Sequence, residues 1–298
     1  MKELLPLSTR LSDECLKAGV SRYIIEKDYA LSWVLVGISE VPRLKQHLIF
    51  KGGTCLKKCY FGSYRYSEDL DFSALGDFPK GKELESCMRQ AARRSQELLV
   101  QLIGNTEITC ERYQEKQPHP FNQEAFIFRA KFPYQKAPLV RVLVEVTTQE
   151  KILTSPQDKR IIHEYGEEIS SKIQSYTLEE IIAEKACAIL TNTKKLHERT
   201  WVRSRARDYY DLWCIFKKFD QDIKFDELPF LIKEKCALRG EAFTSSEDFF
   251  NEHYIKEVSR TWNEWLGPLV PYLPDSQIVF SELKPIFQKL FFINKGNL

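Results

Sequence analysis

Apolar positions recur at helical spacing across residues 21–40, SRYIIEKDYALSWVLVGISE, where Ile24, Asp28 or Tyr29, Leu31, Val34 and Leu35 fall near a 3.6-residue period. Ser21 stands before them as an N-cap. The continuous apolar run in HLIF predicts a short buried strand that ends at Lys51. A short helix is expected from Thr54 to Tyr60, a strand over EDLDFSAL (68–75) and a long helix over 80–104. Three further strands are predicted at 107–114, 124–134 and 139–148. In the last of these, Val140, Val142, Val144 and Val146 form one face, and Arg141, Leu143, Glu145 and Thr147 form the other.

Beyond Thr148 the pattern becomes helical. The segments 175–193 and 205–219 are amphipathic, and the remainder is broken at Pro229, Pro268, Pro271, Pro274 and Pro285. The expected architecture is α+β: a mixed sheet with flanking helices over residues 1–165, followed by a helical domain over 166–298. Composition adds exclusions. The 298 residues are 43% hydrophobic and 29% charged, ordinary for a folded chain large enough for two domains. A net charge of +2 excludes a globally basic nucleic-acid binder, so any basic surface must be local. No apolar run is long enough to span a membrane, and the N-terminal stretch has acids and a proline where a signal peptide needs an apolar core. A cytoplasmic protein without membrane attachment is expected. The eight cysteines and five histidines are scattered without zinc-ligand spacing, so reduced, buried thiols are expected.

Candidate chemistry is concentrated in FKGGTCLKKCYFGSYRYSEDLDF, residues 50–72. Strand alternation sets Ser67, Asp69 and Asp71 on one side and Leu70 and Phe72 on the core side. Aspartate is a poor strand former, so two of them on alternate strand positions point to a divalent cation rather than a solvated face. Glu145 is either a third carboxylate from a neighbouring strand or an exposed acid; its strand alone does not decide. Lys51-Gly52-Gly53-Thr54 at a strand-to-helix turn offers close backbone N–H groups and a hydroxyl to a triphosphate. It is neither a P-loop nor a protein-kinase motif.

Later, Leu178, Ile182, Lys185 and Ile189 recur at four-three-four spacing, which puts Lys185 on an apolar stripe. A lysine there either snorkels outward or is held inward against phosphate. Asp208 orients Lys185 or a ribose hydroxyl, or else pairs with Arg205 or Arg207. The run 194–207, KKLHERTWVRSRAR, reads as a solvated loop or as an edge that binds a polyanion through Arg203, Arg205 and Arg207.

FKGGTCLKKCY, RYSEDLDF, VEV, AEKACAIL and RARDYYDLW, in this order over residues 25–216, resemble the AbiEii/AbiGii family of nucleotidyltransferase toxins. That family includes MenT-like toxins of bacterial toxin–antitoxin and phage-defence systems and carries the DNA polymerase β superfold. The resemblance implies that Lys51, Gly52, Gly53 and Thr54 cradle the triphosphate with Lys58 nearby, and that Ser67 supports the same edge. It implies Mg²⁺ or Mn²⁺ on Asp69 and Asp71, Glu145 as third carboxylate and general base, and Lys185 and Asp208 completing the nucleotide cleft from the helical domain. The implied reaction transfers NMP from an NTP to a tRNA 3′ end, with a cognate antitoxin as partner. Modification of a protein, phosphorylation of the antitoxin, and a non-catalytic nucleotide-binding module are the competing expectations.

Overall fold

The structure, a computed structural model, describes residues 4–114, 122–198 and 204–292. The chain divides into two compact units between Tyr176 and Thr177. The first unit begins with helices α1 (Leu7–Ala18), α2 (Arg22–Glu40) and α3 (Pro42–His47), followed by strand β1 (Leu48–Lys51). Helix α4 (Gly52–Cys55) runs directly into a π-helical segment, Leu56–Phe61. Then come β2 (Asp69–Ala74), α5 (Gly81–Ile103), β3 (Glu107–Tyr113), β4 (Gln123–Lys131), β5 (Val140–Thr147), β6 (Gln157–Arg160) and β7 (Lys172–Ser175).

The strands form one mixed sheet in the order β3-β4-β5-β2-β1-β7-β6. β2 lies antiparallel to β1 and parallel to β5, so both neighbours carry the acid-bearing strand in fixed register. The apolar face of the sheet is made by Phe50, Leu70, Phe72 and the alternating valines of β5, all buried. Helix α2 packs on β5 and β7 and against α5. It is buried continuously from Ile25 to Ser39, so its amphipathic pattern is weak and its polar residues need internal partners. They have them: Arg22, Tyr134 and Gln135 engage Glu26, and Lys58 and Tyr165 engage Asp28. Ser21 caps the helix through Ile24 N.

Two features depart from expectation. The first unit extends past 165 because β7 pairs with β1 in parallel at Phe50↔Ser175. β6 and β7 escape the sequence pattern because each is four residues long, and β6 is largely exposed. The chain also enters helix at Gly52 rather than Thr54.

The second unit is helical: α6 (Leu178–Glu198), α7 (Ala206–Phe219), α8 (Leu228–Leu238), α9 (Glu252–Arg260), α10 (Trp262–Leu266) and α11 (Ser276–Phe292). α6 packs against α7 and α8, and α11 against α7. Tyr209, Phe249, Phe250, Phe280 and Phe287 form an aromatic core with ring centroids 5.1–5.9 Å apart in successive pairs. Pro229 lies in the first turn of α8, where its missing N–H costs nothing. Pro285, by contrast, does not break α11; it sits on the exposed side inside the helix, while Leu283, Phe287 and Leu290 stay buried. The eight cysteines are free thiols.

Candidate active site

The turn after β1 shows why two glycines are needed. Gly52 has φ 79°, and a β-carbon there would stand 2.6 Å from Asp71 Oδ2. A β-carbon on Gly53 would overlap Arg65 Nη2. Each glycine thus admits one charged side chain to the backbone, Asp71 at Gly52 and Arg65 at Gly53. The Thr54 hydroxyl is buried and donates to the Asp69 carbonyl oxygen. It ties the turn to β2.

Asp69 and Asp71 alternate with the buried Leu70 and Phe72, so both carboxylates lie on the polar face of β2. The parallel register pairs Asp71 with Glu145, and equal register in adjacent strands means a shared face. The third acid is therefore next to the pair. Gln123 donates an amide hydrogen bond to Glu145 Oε1 and so orients that carboxylate. Ser67 precedes β2, so strand alternation does not govern where it points. Among the described residues, no three Asp, Glu, His or Cys side chains converge closely enough to form a metal cage. The donors present still suit Mg²⁺ or Mn²⁺: they are hard carboxylate oxygens, and Mg²⁺ is held by one or two carboxylates with water and substrate phosphates completing its shell.

The nearby lysines are engaged within the protein. Lys51 stands opposite Asp71 in the β1–β2 register, yet its ammonium pairs with Glu150 Oε2 and lies 5.8 Å from the Tyr176 ring. Glu150 also accepts from the Ser73 hydroxyl at 3.3 Å, and Ser73 contacts the Tyr176 hydroxyl at 2.7 Å. No motif marks Glu150 in the sequence; only the fold brings it to Lys51. Lys58 is 2% exposed, with Nζ 2.7 Å from Asp28 Oδ2 and 3.2 Å from Asp28 O. Burial pushes the Lys58 amine down and outweighs the opposing Asp28 carboxylate. Lys58 is thus a core ion-pair partner of α2 rather than a lysine offered to phosphate; a buried charge takes the nearest opposite charge.

In the second unit, Lys185 faces inward. Its ammonium lies 2.9 Å from Asp208 Oδ1 and 2.6 Å from Asp211 Oδ2, both on α7. Asp211 is fully buried. Arg205 Nη1 reaches Asp208 Oδ2 at 3.4 Å. Burial raises the Asp208 carboxyl, but Lys185 and Arg205 outweigh it and hold the group below its usual range. Arg207 stacks on Trp265 at 5.7 Å and its Nε donates to Trp265 O at 3.5 Å. Arg205 thus pairs with Asp208, one of the alternatives the sequence left open, and Arg207 is held by Trp265. Arg203 and the centre of the basic run lie outside the described residues.

The mixed sheet, its glycine turn and the paired strand carboxylates define a nucleotidyltransferase-type scaffold. The chain belongs to the AbiEii family: the family model described as nucleotidyl transferase AbiEii toxin of type IV toxin–antitoxin systems matches residues 33–291. In structure it is similar to MenT4, a nucleotidyltransferase toxin from Mycobacterium tuberculosis H37Rv, with a TM-score of 0.59 over 96% of this chain and 88% of that one. At 18% identity this is likeness of fold. Among curated proteins, none matches.

Proposed function

We propose that the chain is the toxin of a toxin–antitoxin pair and transfers NMP from an NTP to a tRNA 3′ end, blocking aminoacylation. The observation that carries the transfer reading is the in-register placement of Asp71 and Glu145 beside Asp69 on one face, at a turn whose glycines admit Asp71 and Arg65 to the backbone. A divalent cation bound to this face supplies charge neutralisation and in-line alignment of the α-phosphate. The chain's own residues do the rest. Asp69 and Asp71 hold the anionic edge, and Glu145, oriented by Gln123, accepts the proton of the attacking hydroxyl. Lys185 and Asp208 are also required for transfer, on the strength of the family resemblance.

The tRNA acceptor rests on the basic run of 194–207. A protein acceptor is the second reading, favoured by the internal anchoring of Arg205 and Arg207. Incubation with total tRNA, or with purified antitoxin and lysate protein, and each α-labelled NTP in turn separates the two. Label in the tRNA fraction supports the first; label confined to protein replaces it with the second. Chelation by EDTA abolishes either transfer and excess Mg²⁺ restores it; transfer that persists in EDTA contradicts the metal assignment.

A further inference from the structure

The helical unit holds a cavity of about 340 Å³ among the end of α6, the approach to α7, and helices α9 and α10. Lys185, Asp208 and Asp211 are not among the described residues that line it, so it is separate from the clasp between α6 and α7. Tyr254 and Val258, both fully buried, close its inner side, and the half-buried Trp265 supplies an aromatic wall. Arg207 steadies that indole, with Cζ 5.7 Å from the ring and Nε donating to Trp265 O at 3.5 Å. Two carboxylates stand at the same cavity. Glu257 is neutralised by Arg260 at 2.9 Å. Glu264 is exposed and makes no ion pair or hydrogen bond among the described residues, which leaves one carboxylate for a ligand. Leu196 and Ser204, which belong to the basic run 194–207, complete the wall.

The size matches small-ligand pockets and admits a nucleobase with its sugar. Aromatic side chains recognise unpaired RNA bases by stacking, and hydrogen bonds read the polar edge of the base. A carboxylate accepts from an exocyclic amine such as cytosine N4, whereas uracil presents the acceptor O4 at that position. It also repels phosphate, so the cavity suits the base while the adjoining basic run suits the backbone. We propose that this cavity seats one unpaired, amine-bearing base of the acceptor RNA, stacked on Trp265 and held at its amine by Glu264. The assignment rests on the tRNA reading above and gives the helices beyond α8 a part in substrate recognition. Free nucleotides carry the same bases, and the test distinguishes the two sources.

Full-length wild type, Glu264→Ala and Trp265→Leu are titrated with oligocytidylate and with oligouridylate of equal length, with melting temperature measured alongside. Wild type is expected to bind oligocytidylate about fivefold or more tightly than oligouridylate, the scale of one amine-to-carboxylate contact. Glu264→Ala, at an exposed position of α10, folds as wild type and brings the two within about twofold. Trp265→Leu weakens both by about tenfold, the scale of a lost base stack. If Trp265→Leu fails to fold, Trp265→Phe keeps a smaller ring and gives a smaller loss in the same direction. In transfer assays each variant raises the KM for tRNA and not that for NTP. A rise confined to the NTP places a free nucleotide in the cavity and overturns the acceptor assignment. Equal binding of the two oligonucleotides by wild type, or a full preference retained by Glu264→Ala, overturns the proposal as well. Failure of the parent reading shows separately, as no label in tRNA from wild type.

Discussion

Gly52 takes a φ of 79° and lies where a β-carbon would meet Asp71 Oδ2 at 2.6 Å. Alanine there must be both strained and displaced. The left-handed conformation alone costs an L-residue about 1–2 kcal/mol. Gly52→Ala is therefore expected to lower stability by at least that amount and to cut nucleotidyl transfer, because the Asp71 carboxylate is the group in the way. Normal melting with unaltered transfer would show that Asp71 does not depend on the turn. Asp69→Asn separates chemistry from folding: it removes one of two like charges on a strand face, so melting is expected to hold or rise slightly. Transfer is expected to fall on the order of 10²- to 10³-fold, the scale of a lost electrostatic contact to the reacting group. The acids, the glycines and Lys185 were all legible as residue types at particular spacings. Glu150 and Gln123 were not, because what makes each one matter is a partner, Lys51 or Glu145, fixed by tertiary register.

At the scale of elements, Lys185 on α6 is clasped by Asp208 and the fully buried Asp211 of α7. Removing one partner of such a group strands the others, at about 3–5 kcal/mol. Lys185→Met should therefore destabilise the helical unit as well as abolish transfer, and Lys185→Met with Asp211→Leu should recover part of the loss in chemical denaturation. Additive losses in the double variant would contradict the clasp. The junction of α1 and α2 holds a second such group. Glu167 accepts two bonds from Arg10 at 2.7 Å, one from Tyr29 at 2.8 Å and contacts His163 Nε2 at 3.1 Å. Burial raises its carboxyl, and His163, Arg10 and Tyr29 together overcome this and lower it to about 2. A depressed carboxyl stabilises the fold above its unfolded value, and the contribution disappears as pH falls from about 4.5 toward 2. His163, pushed down by burial against the opposing Glu167, acts in the same direction, since the unfolded chain takes up its proton first. Glu167→Gln should flatten the acid limb of stability over that window; an unchanged limb would place the titration elsewhere. Alternation in β5 was legible because burial repeats along the strand, whereas β6 and β7 carry too few residues for any period to emerge.

At the scale of the molecule, each unit has its own core, and the division at Tyr176 follows sheet membership rather than a change in composition. Membership of the AbiEii family was legible because the glycine turn, the paired aspartates and the later lysine and aspartate keep their order along the chain. The acceptor was not legible, because a basic run records charge and not where that charge is anchored. Among the described residues, no helix is long and apolar enough to cross a membrane. Transfer of a nucleotide through the face formed by Asp69, Asp71 and Glu145 is the central claim. The most direct measurement is incorporation of label from each α-labelled NTP, with Mg²⁺, into total tRNA by wild type and by folded Asp69→Asn. Labelled tRNA 3′ ends are expected with at least one NTP for wild type, and at least a hundredfold less for the variant, roughly the lower end of such an electrostatic loss. Equal labelling by the two proteins, or none by wild type into tRNA or protein, would contradict it.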